Sequence, residues 1–458
     1  MANITESMDP AIPSLSQKRI LWIWLPLAAS WLLMALEGPY INAALARLSQ
    51  AELMIAAFGL AFSLSVTIES PVISLLATST ALARSRQNYL MLRGFTLHLI
   101  IATTVLQFLM GWTPLFDLVV KDLMGAPASL HEPVRLGLQL MLPWSAAIAW
   151  RRFRQGLLIR FGQSSKVGRG TLVRLFGSAG AATLLALFTS APGIAVGALA
   201  LSIGVVAEAI YAQWTSAPLV AEKFAPDIKT TQPDLGYKEL VNFHWPLATS
   251  NLLFLFTQPI IAAALARGPQ PILNLAAWPV LNGLLFITRA PEMALPEVTI
   301  AVSEEKGAFT AIRRFGLAIG LVSCTLLALV SFTPLSEVYF HNLIGTSSDL
   351  TAIARAGAAL ALLMPLAMAF VTVSRGMLIA RRNTRPQALA MLLELLTLIV
   401  ILIIGVNLQL PGVPVAAVGL SAALLIEGAF LWLVLSGNSL STGLRRLRAS
   451  FLQPWQMP

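Results

Sequence analysis

The chain has 458 residues, of which 57% are hydrophobic types and only 11% are Asp, Glu, Lys or Arg. Soluble domains carry about 25% charged residues, so this composition excludes a soluble enzyme, a nucleic-acid-binding domain and a disordered chain. It fits a polytopic membrane protein, in which the net charge of +10 has to be read from where the basic residues fall.

A helix needs about 20 apolar residues to cross the hydrocarbon core. Twelve stretches meet that need, near residues 20–46, 53–83, 95–119, 134–158, 171–191, 193–217, 241–266, 273–301, 315–339, 354–379, 386–407 and 413–436. They lack the period-2 alternation of barrel strands. The expected fold is an all-α membrane protein of twelve transmembrane helices in two six-helix bundles. The domain plan is a tail over 1–19, a first bundle over 20–220, a linker over 221–240, a second bundle over 241–436 and a tail over 437–458. The first apolar run is too long for a signal-peptide core, so no cleaved leader is expected.

Lys18 and Arg19 precede the first span. Arg84, Arg86 and Arg93 lie between spans 2 and 3, and Arg160, Lys166 and Arg169 follow span 4. Lys306, Arg313 and Arg314 precede span 9, Arg381, Arg382 and Arg385 follow span 10, and Arg445, Arg446 and Arg448 lie beyond span 12. With an even number of spans these segments share one side, and the other side keeps chiefly Arg47, Lys121, Arg135, Arg267 and Arg355. The positive-inside rule makes the first side cytoplasmic, termini and linker included. The expected location is a bacterial cytoplasmic (inner) membrane, crossed many times.

The two halves of the chain are related. At a shift of 220 residues, PLAASWLLMALEGPYINAALAR (26–47) lies over PLATSNLLFLFTQPIIAAALAR (246–267), with thirteen of 22 positions identical. Without a gap, Pro71 then falls on Pro291, Thr113-Pro114-Leu115 on Thr333-Pro334-Leu335, Gly125 on Gly345 and Gly156 on Gly376. Six spans per repeat is an even number, so both repeats enter the membrane from the same side. That predicts parallel lobes related by an axis along the membrane normal. Pro39, Pro71, Pro259 and Pro291 are expected to kink spans 1, 2, 7 and 8, since a proline inside a helix removes a hydrogen bond and frees a carbonyl.

An ionisable side chain deep in a span costs about 2.5–3.5 kcal/mol on insertion scales and is a functional hypothesis by default. Glu37, Glu69, Arg174, Glu208, Arg289, Glu394 and Glu427 are such residues. Glu69 falls on Arg289 at the repeat shift, and Arg174 on Glu394, so symmetry-related positions carry opposite charges twice. Pairs that meet across the axis would form a gate. The competing reading pairs each charge inside its own bundle, or lets Arg174 snorkel to the interface. Glu69, Arg289, Glu37, Arg174 and Glu394 are the candidates for substrate or ion binding; Glu208 and Glu427 read as structural contacts. Arg151, Arg152, Arg154 and Arg375 lie at the cytoplasmic ends of spans 4 and 10. They would make either a basic funnel for anions or positive-inside anchors.

No phosphate-binding loop, H-E-x-x-H or G-x-S-x-G motif is present. The four histidines are scattered, and Cys324 is the single cysteine. No catalytic residue, metal site, disulfide or cofactor is expected, and no nucleic-acid partner. Energy for transport would come from an ion gradient, with H+ or Na+ as candidate coupling ions, from the membrane potential or from the substrate's own gradient.

These features resemble the multidrug/oligosaccharidyl-lipid/polysaccharide flippase superfamily, which includes the multidrug and toxic compound extrusion (MATE) transporters. Within it the progressive ankylosis family is the nearest likeness. It is carried by Phe243-His244-Trp245-Pro246-Leu247-Ala248, by Thr333-Pro334 with Glu337 and Ile344-Gly345, by Ala149-Trp150 with Gly156-Leu157-Leu158, and by Ala57-Phe58-Gly59-Leu60-Ala61-Phe62-Ser63-Leu64. The resemblance implies a secondary exporter with two six-helix lobes working by alternating access; separately, a monomer is expected. For the progressive ankylosis family it implies organic anions such as citrate, nucleotides or pyrophosphate. For MATE transporters it implies cationic drugs exchanged for H+ or Na+. A lipid-linked precursor flippase is the third reading. No substrate residue matches the family pattern position by position.

Overall fold

A computed structural model describes residues 15–226, 235–305, 307–381 and 385–436. Most of both tails, the middle of the expected linker (227–234), Lys306 and Arg382 lie outside the described residues.

The first lobe holds α1 (Gln17–Leu45), α2 (Ala51–Leu82), α3 (Arg86–Trp112), α4 (Ala128–Leu140 then Leu142–Arg160), α5 (Ser164–Phe188) and α6 (Gly193–Lys223). The second holds α7 (Tyr237–Arg267), α8 (Pro271–Arg289, continued by Leu295–Val302), α9 (Ala308–Phe332), α10 (Ser348–Leu360 then Met364–Ala380), α11 (Arg385–Asn407) and α12 (Gly412–Leu435). Ten of these are long and apolar enough to span a bilayer, and α10, bent by 48°, makes eleven. The twelfth, α4, falls short on apolarity because Arg151, Arg152, Arg154 and Arg160 crowd its second half. No strand occurs among the described residues.

The helix breaks follow from the prolines. α1 is interrupted at Leu36 and α7 at Phe256, so their first halves end at Ala35 and Leu255. Those residues are four before Pro39 and Pro259, where each ring removes the donor and collides with the carbonyl. α2 breaks at Ser74 just after Pro71, and α8 breaks at Pro291 with a 3-10 turn over Glu292–Ala294.

Spans 3 and 9 sit further toward the N-terminus than the hydropathy pattern suggests. α3 stops at Trp112 and α9 at Phe332. Pro114 and Pro334 have no N–H to continue the ladder. The hydroxyls of Thr113 and Thr333 cap the ends, accepting from the Leu115 and Leu335 N–H groups at 3.2 Å each. The chain restarts as a π-helix, Asp117–Leu123 in one lobe and Glu337–Ile344 in the other. Gly125 at φ +68° and Gly345 at φ +92° then make a turn that side chains resist.

The 15–19 segment and the end of α12 lie on one side of the molecule, here the near side. Gln17 donates to the Ala311 carbonyl at the start of α9, and Leu435 packs in the same apolar cluster as Leu15 and Ile20. Large apolar side chains that stay exposed, such as Phe176, Leu187, Ile210 and Trp214, mark the lipid-facing surface of the first lobe.

The lobes meet along α2 and α8. A Cβ on Gly59 would stand 3.0 Å from the Cγ of Pro279, its own repeat equivalent. The pseudo-twofold axis therefore passes between these two residues. Asn42 donates to the Pro279 carbonyl at 3.2 Å, and Gly283 gives room to Pro39. Inside each lobe, Gly156 and Gly376 do equivalent work: a Cβ there would come within 2.6 Å of the Leu76 carbonyl and 3.0 Å of the Pro296 carbonyl.

Candidate functional site

Each lobe buries a charge cluster. In the first lobe, Glu37 opens the second half of α1, where the helix N-terminus favours an anion. Arg174 of α5 donates to it through both Nε, at 3.0 Å, and Nη2, and Ser178 adds a third bond at 2.6 Å. One turn of helix separates Arg174 from Ser178, so both reach the same carboxylate. α4 repeats the device on α6. Arg151 donates to Glu208 at 2.5 Å, and Gln155, four residues on, donates to the other oxygen at 2.9 Å. Arg151 is 4% exposed and Glu208 fully buried.

Three interior charged residues of this lobe, Glu69, Arg152 and Arg154, form no salt bridge among the described residues. The Oε2 of Glu69 is buried without a hydrogen-bond partner, within Coulombic reach of Arg151, Arg152 and Arg174. Arg152 is half-buried, has an orphaned Nε, and forms no salt bridge among the described residues. Counting Glu37, Glu69 and Glu208 against Arg151, Arg152 and Arg174, this cluster is neutral.

The second lobe is built differently. Arg375 occupies the repeat position of Gln155. It donates from Nε to Glu427 at 2.8 Å and stands 3.7 Å from Glu394. Arg289 finds only its own helix: it donates to the Leu285 carbonyl at 2.9 Å and to Asn282 at 3.4 Å. Glu292, which sequence reasoning missed, lies three residues beyond it in the 3-10 turn, fully buried with neither oxygen hydrogen-bonded. Two guanidinium groups here face three carboxylates, one more acidic group than basic.

The sign-swapped pairs do not meet in this conformation. Among the described residues Arg174 turns to Glu37 and Glu394 to Arg375, and no salt bridge joins Glu69 to Arg289. The reason is helix rotation: the repeat puts related residues at equal depth but points each into its own lobe. The expected funnel is likewise absent as an open mouth. Arg151 is tied to Glu208 and Arg375 to Glu427, while Arg154 stacks its guanidinium 4.8 Å from the Trp150 ring centre. Among the described residues neither Arg152 nor Arg154 of that set forms a salt bridge, and the Nε and Nη1 of Arg154 are buried without a hydrogen-bond partner.

On the near side the first halves of α1 and α7 cross between lobes. Trp24 of α1 donates its indole N–H to the Pro291 carbonyl of α8 at 2.9 Å, and His244 of α7 reaches the Pro71 carbonyl of α2 at 3.1 Å. These residues are equivalent under the shift of 220. Both carbonyls lie at a helix break, where the intrahelical donor is missing. Arg19 adds an exposed pair with Glu305 at 3.0 Å.

No family profile and no curated protein matches the sequence. Solved structures do match the fold. A multidrug resistance MATE family transporter of the MOP superfamily, in an inward-facing conformation, superposes with a TM-score of 0.69 at 13% identity, over 91% of this chain and 98% of that one. A MOP superfamily transporter from Pyrococcus furiosus, described as having a binding pocket of reverse polarity, gives 0.66 at 15% identity over 92% and 95%. The lipid II flippase MurJ in an inward closed conformation gives 0.70 at 12% identity over 90% and 87%. At these identities the likeness establishes the fold, a MATE-type arrangement of two six-helix lobes.

Proposed function

We propose that this protein is a secondary transporter that moves a small organic anion across the cytoplasmic membrane by alternating access between its two lobes. The observation that carries this reading is an unmatched guanidinium in each lobe, Arg152 in α4 and Arg289 in α8, each half-buried and neither in a salt bridge among the described residues; Arg154, buried and also without a salt bridge there, stacks on Trp150 instead. A charge at that depth is costly without a counter-charge, and a carboxylate- or phosphate-bearing solute supplies one with the geometry that arginine favours. Citrate, nucleotides and pyrophosphate, the solutes suggested by the likeness to the progressive ankylosis family, have that chemistry.

Glu69 and Glu292 fit the coupling role. Both are buried carboxylates with unmet oxygens, and burying such a group uncompensated is unfavourable. A proton or Na+ bound there neutralises the carboxylate and leaves the neighbouring guanidinium for the solute. When the solute leaves, the ionised carboxylate takes its place. We take the basic near side as cytoplasmic and the working unit as one chain.

The test is transport by the purified protein in liposomes. Uptake of labelled citrate or nucleotide should be driven by a proton or Na+ gradient and should fall at least tenfold in Arg289→Gln and in Arg152→Gln. Accumulation of cationic drugs, unchanged by either substitution, would overturn the anion reading. Movement of a lipid-linked diphosphate alone would turn it toward a flippase.

A further inference from the structure

The far side of the molecule holds a second reciprocal set of contacts, which the transport reading does not use. Arg47, two residues past the end of α1, sends its guanidinium across to the other lobe. It donates to the carbonyls of Asn342, Leu343 and Ile344 at 3.4, 3.0 and 2.9 Å. Those are the last carbonyls of the π-helix Glu337–Ile344. Arg267, at the end of α7, does the same in reverse, donating to the carbonyls of Asp122 at 3.3 Å, Leu123, and Met124 at 2.6 Å. Residues 47 and 267 are related by the shift of 220, and so are 122–124 and 342–344. Three acceptors match three acceptors in register.

The chemistry suits a reversible clasp. A helix C-terminus leaves unpaired carbonyls and a partial negative charge, and both favour a guanidinium fork. The turn that follows is held by Gly125 and Gly345 at positive φ. A Cβ on Gly125 would lie 3.3 Å from the Arg267 side chain, and one on Gly345 would lie 3.3 Å from Arg47 Nη1. Glycine at these positions thus allows the guanidinium group to approach. These bonds cross the lobe boundary, whereas the clusters around Glu37 and Glu427 close within one lobe.

We propose that Arg47 and Arg267 form a two-point latch that holds the far ends of the lobes together, and that both must withdraw from their carbonyl triads for the far side to open. The first-lobe point is linked to the buried cluster. Glu37 and Arg47 stand at opposite ends of one short helix, Glu37–Leu45, so a change in the Glu37–Arg174 contact moves the latch arm as a rod. The second-lobe arm, Thr257–Arg267, begins with a threonine instead and has no such link.

Spin labels at Ser190→Cys and Leu408→Cys, in the far-side loops of the two lobes, report the opening directly on a Cys324→Ser background in liposomes. No transported solute is needed, so the result stands apart from the anion reading. The population with long inter-label distance should rise about tenfold in Arg47→Ala and about tenfold in Arg267→Ala, equivalent to about 1.4 kcal/mol each. The double variant should exceed both. Arg47→Lys with Arg267→Lys keeps the charge and topology but not the fork, and should give an intermediate rise. A double variant with the parent's distances, or a lysine variant as closed as the parent, would overturn the latch. So would a shift seen with only one of the two arginines.

Discussion

The two lobes share a chain trace and differ in what they bury. The repeat keeps the parts that shape and join the lobes: Pro39 with Pro259, Pro71 with Pro291, Gly125 with Gly345, Gly156 with Gly376 and Arg47 with Arg267. It does not keep the interior charges. The first lobe balances three guanidinium groups against three carboxylates, each salt bridge closed by a neutral donor from the same helix. The second lobe asks one arginine, Arg375, to serve both Glu427 and Glu394, and leaves Arg289 and Glu292 loose. The lobes thus share the backbone parts that shape and join them and differ in the charges that each one buries.

The comparison breaks most visibly if the lobes respond alike to losing a carboxylate. Glu208→Ala strands Arg151 in a site where neither partner is solvated, and should destabilise the protein by about 3–5 kcal/mol. Glu427→Ala should cost clearly less, because Glu394 stands 3.7 Å from the same arginine. Thermal unfolding in detergent measures both, and equal losses would contradict the asymmetry. Next in size is the sign-swapped couple. Arg174→Ala unpairs Glu37 and should cost about 3 kcal/mol. Glu394→Ala removes only a 3.7 Å contact and leaves Arg375 its bonds to Glu427, so it should cost less than Arg174→Ala.

A smaller effect is expected on the axis, where the lobes behave as one. Gly59→Ala puts a methyl group against Pro279 and should cost about 1–3 kcal/mol by overpacking. Gly38→Ala, with nothing within 4 Å of the added carbon, should be tolerated. The smallest effects are on the near-side arms. Trp24→Phe loses one hydrogen bond to a proline carbonyl, about 1 kcal/mol, and His244→Phe loses its equivalent together with a 2.9 Å bond to the Thr78 hydroxyl. Hydrogen exchange in the first halves of α1 and α7 should accelerate in both variants, and more in His244→Phe. A response in one arm alone would show that the crossing is not reciprocal in energy.

The sequence showed the fold's outline because its signals are local. Hydropathy marks the spans, proline marks the breaks, and the gapless shift of 220 marks the two lobes. What stayed hidden depends on helix rotation and on distant partners. Glu37 and Arg174 are 137 residues apart, and nothing in their neighbourhoods says that they meet. Arg47 and Arg267 were visible as the last identity of the aligned block, yet they read only as minor charges on the less basic side. Their acceptors are backbone carbonyls, which have no residue signature apart from the glycines that follow. Glu292 follows Pro291 inside a mainly apolar run that continues beyond it, and the helix break that buries its carboxylate has no hydropathy signal.

If two unlike lobes each lend an unmatched arginine to a single organic anion, titrating the purified protein with citrate or a nucleotide should raise its melting temperature. The parent should gain stability as the anion exceeds its dissociation constant, by about 2.7 kcal/mol at a hundredfold excess. Arg152→Gln and Arg289→Gln should each abolish that gain. A gain that survives either substitution, or that appears with cationic drugs and not with anions, would contradict the claim.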